Sequence, residues 1–380
     1  MGKVTQGEQG KSSAVRLAPL DGVRGLAILG VVLHHYGVHA GGWLDWGPVA
    51  PTVFFMLSGF FVTGSLLRMK QSDQINWSTL QSFHFRRLAR LLPAFYILLA
   101  VGWLAGLEEF REGLGWHALF LSNVKMAATG EWAGGLSHLW SLANQEQFYL
   151  LCPLVFLLPA RWIPHALIGI VGLALGFRLA CLYWGAPEMV RWLLLPASLD
   201  SFAVGSLVAI GLRHREKLIP VGWGAVALVV ATLSWFISRG LRHLDFMGSL
   251  WIAFVDVFEI SALAICLILF VQYPTARLAR VFAFAPLAFI GRISYGLYLW
   301  HIMVATAVSS YLDRMGLDAK EDVLVRAFIM TVLSVGVAWF CWIGIERPFI
   351  EWARNIAPIR LRLAALWRRV AKFFRGLSEA

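Results

Sequence analysis

Apolar runs of about 18 residues recur along the whole chain, and a run of that length crosses the hydrocarbon core of a bilayer as one helix. Ten can be read, at 22–39, 48–67, 91–107, 137–159, 163–183, 193–212, 220–238, 250–272, 293–311 and 324–345. Between them the chain is too poor in charge to coat a water-facing surface. Only 14% of its residues are charged, where a soluble domain carries roughly 25%. The expected fold is therefore an all-α polytopic membrane protein, with about ten transmembrane helices in one bundle. Basic residues bias loops towards the cytoplasm. With the N-terminus inside, the inner segments hold Arg68, Lys70, Arg86, Arg87 and Arg90, then Arg161, then Arg213, Arg215 and Lys217, then Arg277, Arg280 and Arg292. The opposite loops carry Glu108, Glu109, Glu112, Glu131, Asp313, Asp318, Glu321 and Asp322. An even count of spans puts the C-terminus inside as well.

Three parts follow: a polar N-terminal tail at 1–20, a membrane domain at 21–349 and a basic tail at 350–380. The N-terminal tail lacks the apolar core of a cleavable signal peptide and reads as disordered. The C-terminal tail mixes Arg and Lys with Trp, Leu and Phe, which suits an amphipathic helix on anionic lipid of the inner leaflet. Residues 108–136 form an outward loop whose middle suits an interfacial or re-entrant helix. The net charge of +11 sits in inner loops and the tail, with no nucleic-acid signature, so no nucleic-acid partner is expected. The four cysteines are isolated in apolar runs, which favours buried thiols, and no metal site is expected.

Ionisable groups inside a span are costly and mark functional sites unless they only pack helices together. In RGLAILGVVLHHYG, Arg24 and His35 lie eleven residues apart, about three turns. They share a helical face and are separated by about 16 Å along the axis, whereas His34 points some 80° away. In FRRLARLLPAF, Arg87 and Arg90 share a face at i,i+3, and planar guanidinium groups so placed suit phosphate. A lipid-headgroup anchor suits them equally. In SHLWSLANQEQFYLLCP, Asn144, Gln145, Glu146 and Gln147 place four polar groups within one span. A buried glutamate there would orient a histidine or exchange protons itself. Asp200 lies near the outer end of its span. Ser294, Tyr295, Tyr298 and His301 punctuate ISYGLYLWHIM. Asp256, Glu259 and Arg178 are candidates for mutual pairing. No nucleotide-binding P-loop, HExxH or GxSxG occurs, so ATP hydrolysis within the chain is not expected.

Taken in order, LDGVRGLAILGVVLHH, VFFMLSGFFVTG, FRRLARLLPAFY, LWSLANQEQFYLLCP, LDSFAVGS, ISYGLYLWHI and IERPFI resemble the acyltransferase family 3 membrane proteins over nearly the whole chain. Members acylate, most often O-acetylate, polysaccharides, lipopolysaccharide, Nod factors, peptidoglycan and some antibiotics. The family's arginine–ten residues–histidine motif falls on Arg24 and His35. Its arginine pair falls on Arg87 and Arg90, which the resemblance implies handle acyl-CoA from the cytoplasmic side, with Arg86 beside them. The segment usually written WSLSVEEQFYL reads WSLANQEQFYL here, so Gln145 replaces one glutamate and Glu146 is the sole acid. The esterase-like domain fused to some members is expected to be absent, since the chain ends soon after Arg375.

The expected activity is O-acyl transfer, most simply of acetyl from acetyl-CoA, in the bacterial inner membrane onto a hydroxyl of a glycan or glycolipid. The acyl-CoA is a co-substrate, and no permanently bound cofactor is expected. His35, Arg24 and Glu146 form the expected catalytic group, and Arg86, Arg87 and Arg90 the donor-binding group. Asp21, His34, Ser58, Asn144, Gln147, Tyr149, Asp200, Tyr295, Tyr298 and His301 form the acceptor-binding or supporting group. His35 serves either as general base or as a transient acyl carrier. A proton-coupled glycolipid or small-molecule transporter or flippase is the competing class, and the oligomeric state is left open.

Overall fold

A computed structural model describes residues 6–38, 46–71, 75, 77–214, 218–240, 248–314 and 323–356. The described residues are helical, with turns between. The long helices are α1 (Gln6–His35), α2 (Trp46–Gln71) and α3 (Trp77–Leu104), followed by three short ones, α4 (Glu108–Glu112), α5 (Leu114–Ala118) and α6 (Ser122–Thr129). Next come α7 (Leu139–Val155), α8 (Ile163–Tyr183), the short α9 (Glu188–Leu193) and α10 (Leu195–His214). The remainder is α11 (Val221–Gly240), α12 (Gly248–Gln272), α13 (Arg277–Phe282), α14 (Ala285–Arg292), α15 (Ser294–Arg314) and α16 (Val323–Cys341). Among the described residues, five helices are long and apolar enough to cross a membrane, or six if α14 and α15, bent by 75° at Ile293, form one broken span.

Two boundaries differ from the sequence reading. The first helix begins at Gln6, so the described part of the expected disordered tail is helical, with Pro19 inside it at the loss of one backbone hydrogen bond. The stretch at 77–90, read as part of a connection, is the first half of α3. Arg86, Arg87 and Arg90 line a cavity from this half of the helix, so hydropathy falls there although the helix continues. Most of the expected basic tail, 357–380, lies outside the described residues. The segment at 108–136, expected to face outwards, resolves into α4, α5 and α6 with a 3₁₀ turn at Gly134–Leu136.

Two glycine-mediated crossings set the bundle. A Cβ at Gly59 would overlap the carbonyl oxygen of Phe202, and one at Gly205 the carbonyl oxygen of Met56, so α2 and α10 touch backbone to backbone. A Cβ on Gly25 would likewise strike the Leu287 carbonyl and one on Gly291 the Asp21 carbonyl, which docks α1 on α14. Small residues permit such approach where apolar burial gives helices no preference for one another over lipid. Beside the first crossing, Phe202 stacks between Phe55 at 4.5 Å and Phe148 at 4.1 Å. All four cysteines are free thiols, three of them buried.

Candidate active site

A large cavity, about 960 Å³, opens among α1, α2, α3, α7 and the α14–α15 bend. Seven arginines line it: Arg24, Arg68, Arg86, Arg87, Arg90, Arg292 and Arg354, against a single carboxylate, Asp21. Helical geometry explains the density. The upstream extension of α3 carries Arg86, Arg87 and Arg90 on one continuous helix, and the bend at Ile293 turns Arg292 and Ser294 to the same wall. Arg24 donates from Nη2 to Ser294 Oγ at 3.1 Å. The Arg87 guanidinium lies 2.9 Å from the centroid of the Tyr149 ring, and its buried Nε has no hydrogen-bond partner. A cation held on an aromatic face keeps its donors directed elsewhere. A strongly positive space of this size suits a polyanionic ligand with a long body.

Polar groups of α2 and α7 finish the wall. Gln145 donates from Nε2 to Ser58 Oγ at 2.7 Å and also to the Tyr149 hydroxyl, which itself donates to Ser58 Oγ at 2.7 Å. An ionised glutamate has no proton to donate to either oxygen, so the amide at 145 supports a different network from the usual acid.

Beyond this chamber lies an imidazole cluster. His35 Nδ1 and His301 Nε2 are 3.0 Å apart, and His301 Nδ1 lies 2.7 Å from the Tyr298 carbonyl oxygen. A carbonyl only accepts, so the neutral His301 carries its proton on Nδ1 and its Nε2 accepts. His35 must then donate from Nδ1, which leaves the lone pair on Nε2 of His35. That is the form of a general base held in place by a second imidazole. His138 packs against the same ring, with centroids 5.0 Å apart. Tyr298 joins the two regions. It lines the chamber, its ring centroid is 5.9 Å from that of His301, and its hydroxyl meets Ser141 Oγ at 2.8 Å and the His138 carbonyl. Arg24 and His35 thus meet one helix, α15, through Ser294 and His301.

Other sequence candidates separate by place. Asp21, Ser58, Tyr149, Tyr295 and Tyr298 line the chamber, and the Tyr295 hydroxyl donates to the Leu91 carbonyl at 2.7 Å. His34 sits edge-on to His35 with centroids 5.5 Å apart. Glu146 departs from its expected role. It is buried within electrostatic reach of Arg87 rather than of a histidine, and its Oε1 has no hydrogen-bond partner. The helix turns its side chain about 100° per residue, which takes 146 away from the face of Ser141 and Gln145. Asn144 and Gln147 also depart. Asn123 donates to Asn144 Oδ1 at 2.6 Å, and Gln147 donates to the Phe120 carbonyl at 2.9 Å. These amides tie α6 to α7 and do not face the chamber. On the same segment, His117 is fully buried beside Ser122 Oγ at 2.8 Å; burial, with Lys125 nearby, lowers its pKa to about 4. Asp200 forms an ion pair with Arg178 at 2.6 Å, which Asp256 joins at 3.7 Å, so the pairing left open by the sequence is partly realised.

The sequence reading did not single out His138, Ser141, Arg292 or Glu346 as site residues. Polar letters inside SHLWS and the charge in GRIS were available signals. Glu346 lies in the quoted IERPFI segment, at the end of a π-helical turn (Trp342–Glu346) that continues α16. It is 1% exposed, within electrostatic reach of Arg90 and Arg24. Only packing shows that it meets them.

A family described as an acyltransferase domain matches residues 17–343. The chain belongs to the acyltransferase 3 family. Among curated proteins it is 29% identical over 390 residues to the Staphylococcus aureus (strain COL) protein named "Putative O-acetyltransferase SACOL0978", covering 93% of this chain and 62% of that one. It is 28% identical over 360 residues to the peptidoglycan O-acetyltransferase OatA of Listeria monocytogenes, covering 87% of this chain and 55% of the relative. The chain therefore spans between half and two thirds of the length of these relatives. No solved structure matches.

Proposed function

We propose that this protein is an integral membrane O-acyltransferase that crosses a bacterial inner membrane ten times, with both ends cytoplasmic. It moves an acyl group, acetyl from acetyl-CoA, onto a hydroxyl of a glycan or glycolipid. The observation that carries the reading is the His35–His301 pair, with a lone pair free on His35 Nε2, next to an arginine-lined chamber. Family membership and the name of the Listeria relative support the reaction class and the acceptor class.

Acyl-CoA carries a diphosphate and a ribose phosphate, and Arg86, Arg87 and Arg90 bind them at the mouth of the chamber. Arg24 and Arg292 extend the positive wall inwards. The pantetheine arm runs along the chamber and delivers the thioester to its Tyr298 end. Tyr298 shifts aside there to bring the thioester to the imidazoles. His35 Nε2 takes the proton of the acceptor hydroxyl while that oxygen attacks the thioester carbon. The tetrahedral oxyanion collapses with cleavage of the C–S bond, and the proton on His35 passes to the departing thiolate. His301 accepts from His35 Nδ1 and keeps the ring oriented throughout. The uncharged floor of Ser58, Gln145 and Tyr149 suits the neutral arm.

Purified protein in detergent, given acetyl-CoA and candidate soluble glycans, should release free thiol only when an acceptor is present. His35→Ala should abolish that release while the protein remains folded and binds CoA. Full turnover in His35→Ala would refute the base assignment. Movement of a glycolipid across proteoliposomes without thiol release would replace the enzyme by a carrier.

A further inference from the structure

A second cleft lies on the opposite flank of the N-terminal end of α7, bordered by α2, α8, α9, α10 and α12. We infer that this cleft is the saccharide-binding subsite for the acceptor, holding a neutral sugar ring next to the ring that is acylated. The inference rests on the reading of the protein as a glycan O-acyltransferase.

The lining differs in kind from that of the arginine chamber. Arg178 and Arg191 face three carboxylates, Asp200, Asp256 and Glu259, with the indoles of Trp140 and Trp192 completing the walls. Two cations against three acids give no attraction for a polyanionic donor, in contrast to seven arginines against one aspartate. Convergent carboxylates and guanidinium groups between two indoles instead match a polyol: hydroxyls bridge acid and base, and the apolar face of the ring packs on tryptophan. The polar groups are held in place before any ligand arrives. Arg178 is 7% exposed, donates from Nη1 to the Ala197 carbonyl at 2.7 Å and pairs with Asp200 at 2.6 Å, yet its Nε has no partner. The Nε of Arg191 likewise has none.

Position joins the cleft to the reaction. Trp140 lies one residue before Ser141, whose Oγ meets the Tyr298 hydroxyl beside His301, and two residues after His138. The cleft and the imidazole cluster therefore flank the same helix end. A glycan with one ring in the cleft crosses that end and presents the next ring's hydroxyl to His35.

The test uses the full chain in detergent and a soluble, neutral tetramer of β-1,4-linked N-acetylglucosamine, titrated calorimetrically in wild type, Trp192→Ala and Arg191→Gln. CoA is titrated in parallel. The expected result is a loss of about tenfold or more in saccharide affinity in both variants, with CoA affinity unchanged. If wild type binds the tetramer and both variants bind it equally well, the cleft assignment is overturned while the glycan reading stands. If wild type binds no saccharide and releases thiol only with a non-saccharide alcohol, the acceptor reading and the cleft fall together.

Discussion

The proton arrangement of His35 is set by its contact with His301. Because the Tyr298 carbonyl fixes the proton of His301 on Nδ1, the only unpaired ring nitrogen of the pair is His35 Nε2. His35→Ala is expected to lower kcat by about 10²–10⁴-fold, the usual contribution of a positioned base, measured as acceptor-dependent thiol release. His301→Ala should lower kcat with little change in KM for acyl-CoA, and His301→Gln, which retains an acceptor oxygen, should recover part of the loss. Equal losses in both variants would reduce His301 to packing. At this scale the sequence was informative about His35, since its spacing from Arg24 selects one face. It was uninformative about Glu146, because a polar letter inside a span does not say whether its neighbour is an imidazole or a guanidinium.

At the scale of elements, the glycine crossings and the α5–α6 segment carry the testable energetics. Gly205→Ala places a methyl group against the backbone of α2, where no side chain can give way. Overpacking of that kind costs about 1–3 kcal/mol and should appear as a lowered Tm in detergent. At Gly172, where nothing lies near an added Cβ, the same substitution should be silent. His117 supplies a pH dependence. Its pKa falls to about 4 in the folded protein, against about 6.5 when unfolded. The unfolded segment therefore binds the proton first as pH drops, so stability is full above about 6.5 and declines towards 4. Hydrogen-exchange protection across residues 114–129, taken relative to the intrinsic rate at each pH, should fall over that window, and His117→Gln should blunt the change. The course of α3 shows why boundaries were hard to read. Basic residues that face a cavity lower hydropathy as much as a loop does, although the helix runs on.

For the molecule as a whole, charge is sorted by compartment: one cavity holds seven arginines and one acid, and the cleft beside α7 is nearly balanced. Arg87→Glu with Arg90→Glu should weaken CoA binding at least tenfold, and binding by wild type should fall as ionic strength rises. Unchanged CoA affinity in the double variant, by calorimetry, would remove the donor role of this face. The membrane class followed from the sequence alone, because a chain with so little charge has only lipid as a compatible solvent, and hydropathy depends on composition within a window. The face shared by Arg24 and His35 followed too, since the helical repeat is a local property. Tertiary structure alone decided that His301 meets His35, that Glu146 and Glu346 approach arginines, and that Arg178 closes a cleft with Asp200 and Asp256. Those encounters join residues from distant helices, and which faces meet is set by backbone approach at glycines and by the α14–α15 bend, which no single helix's pattern encodes.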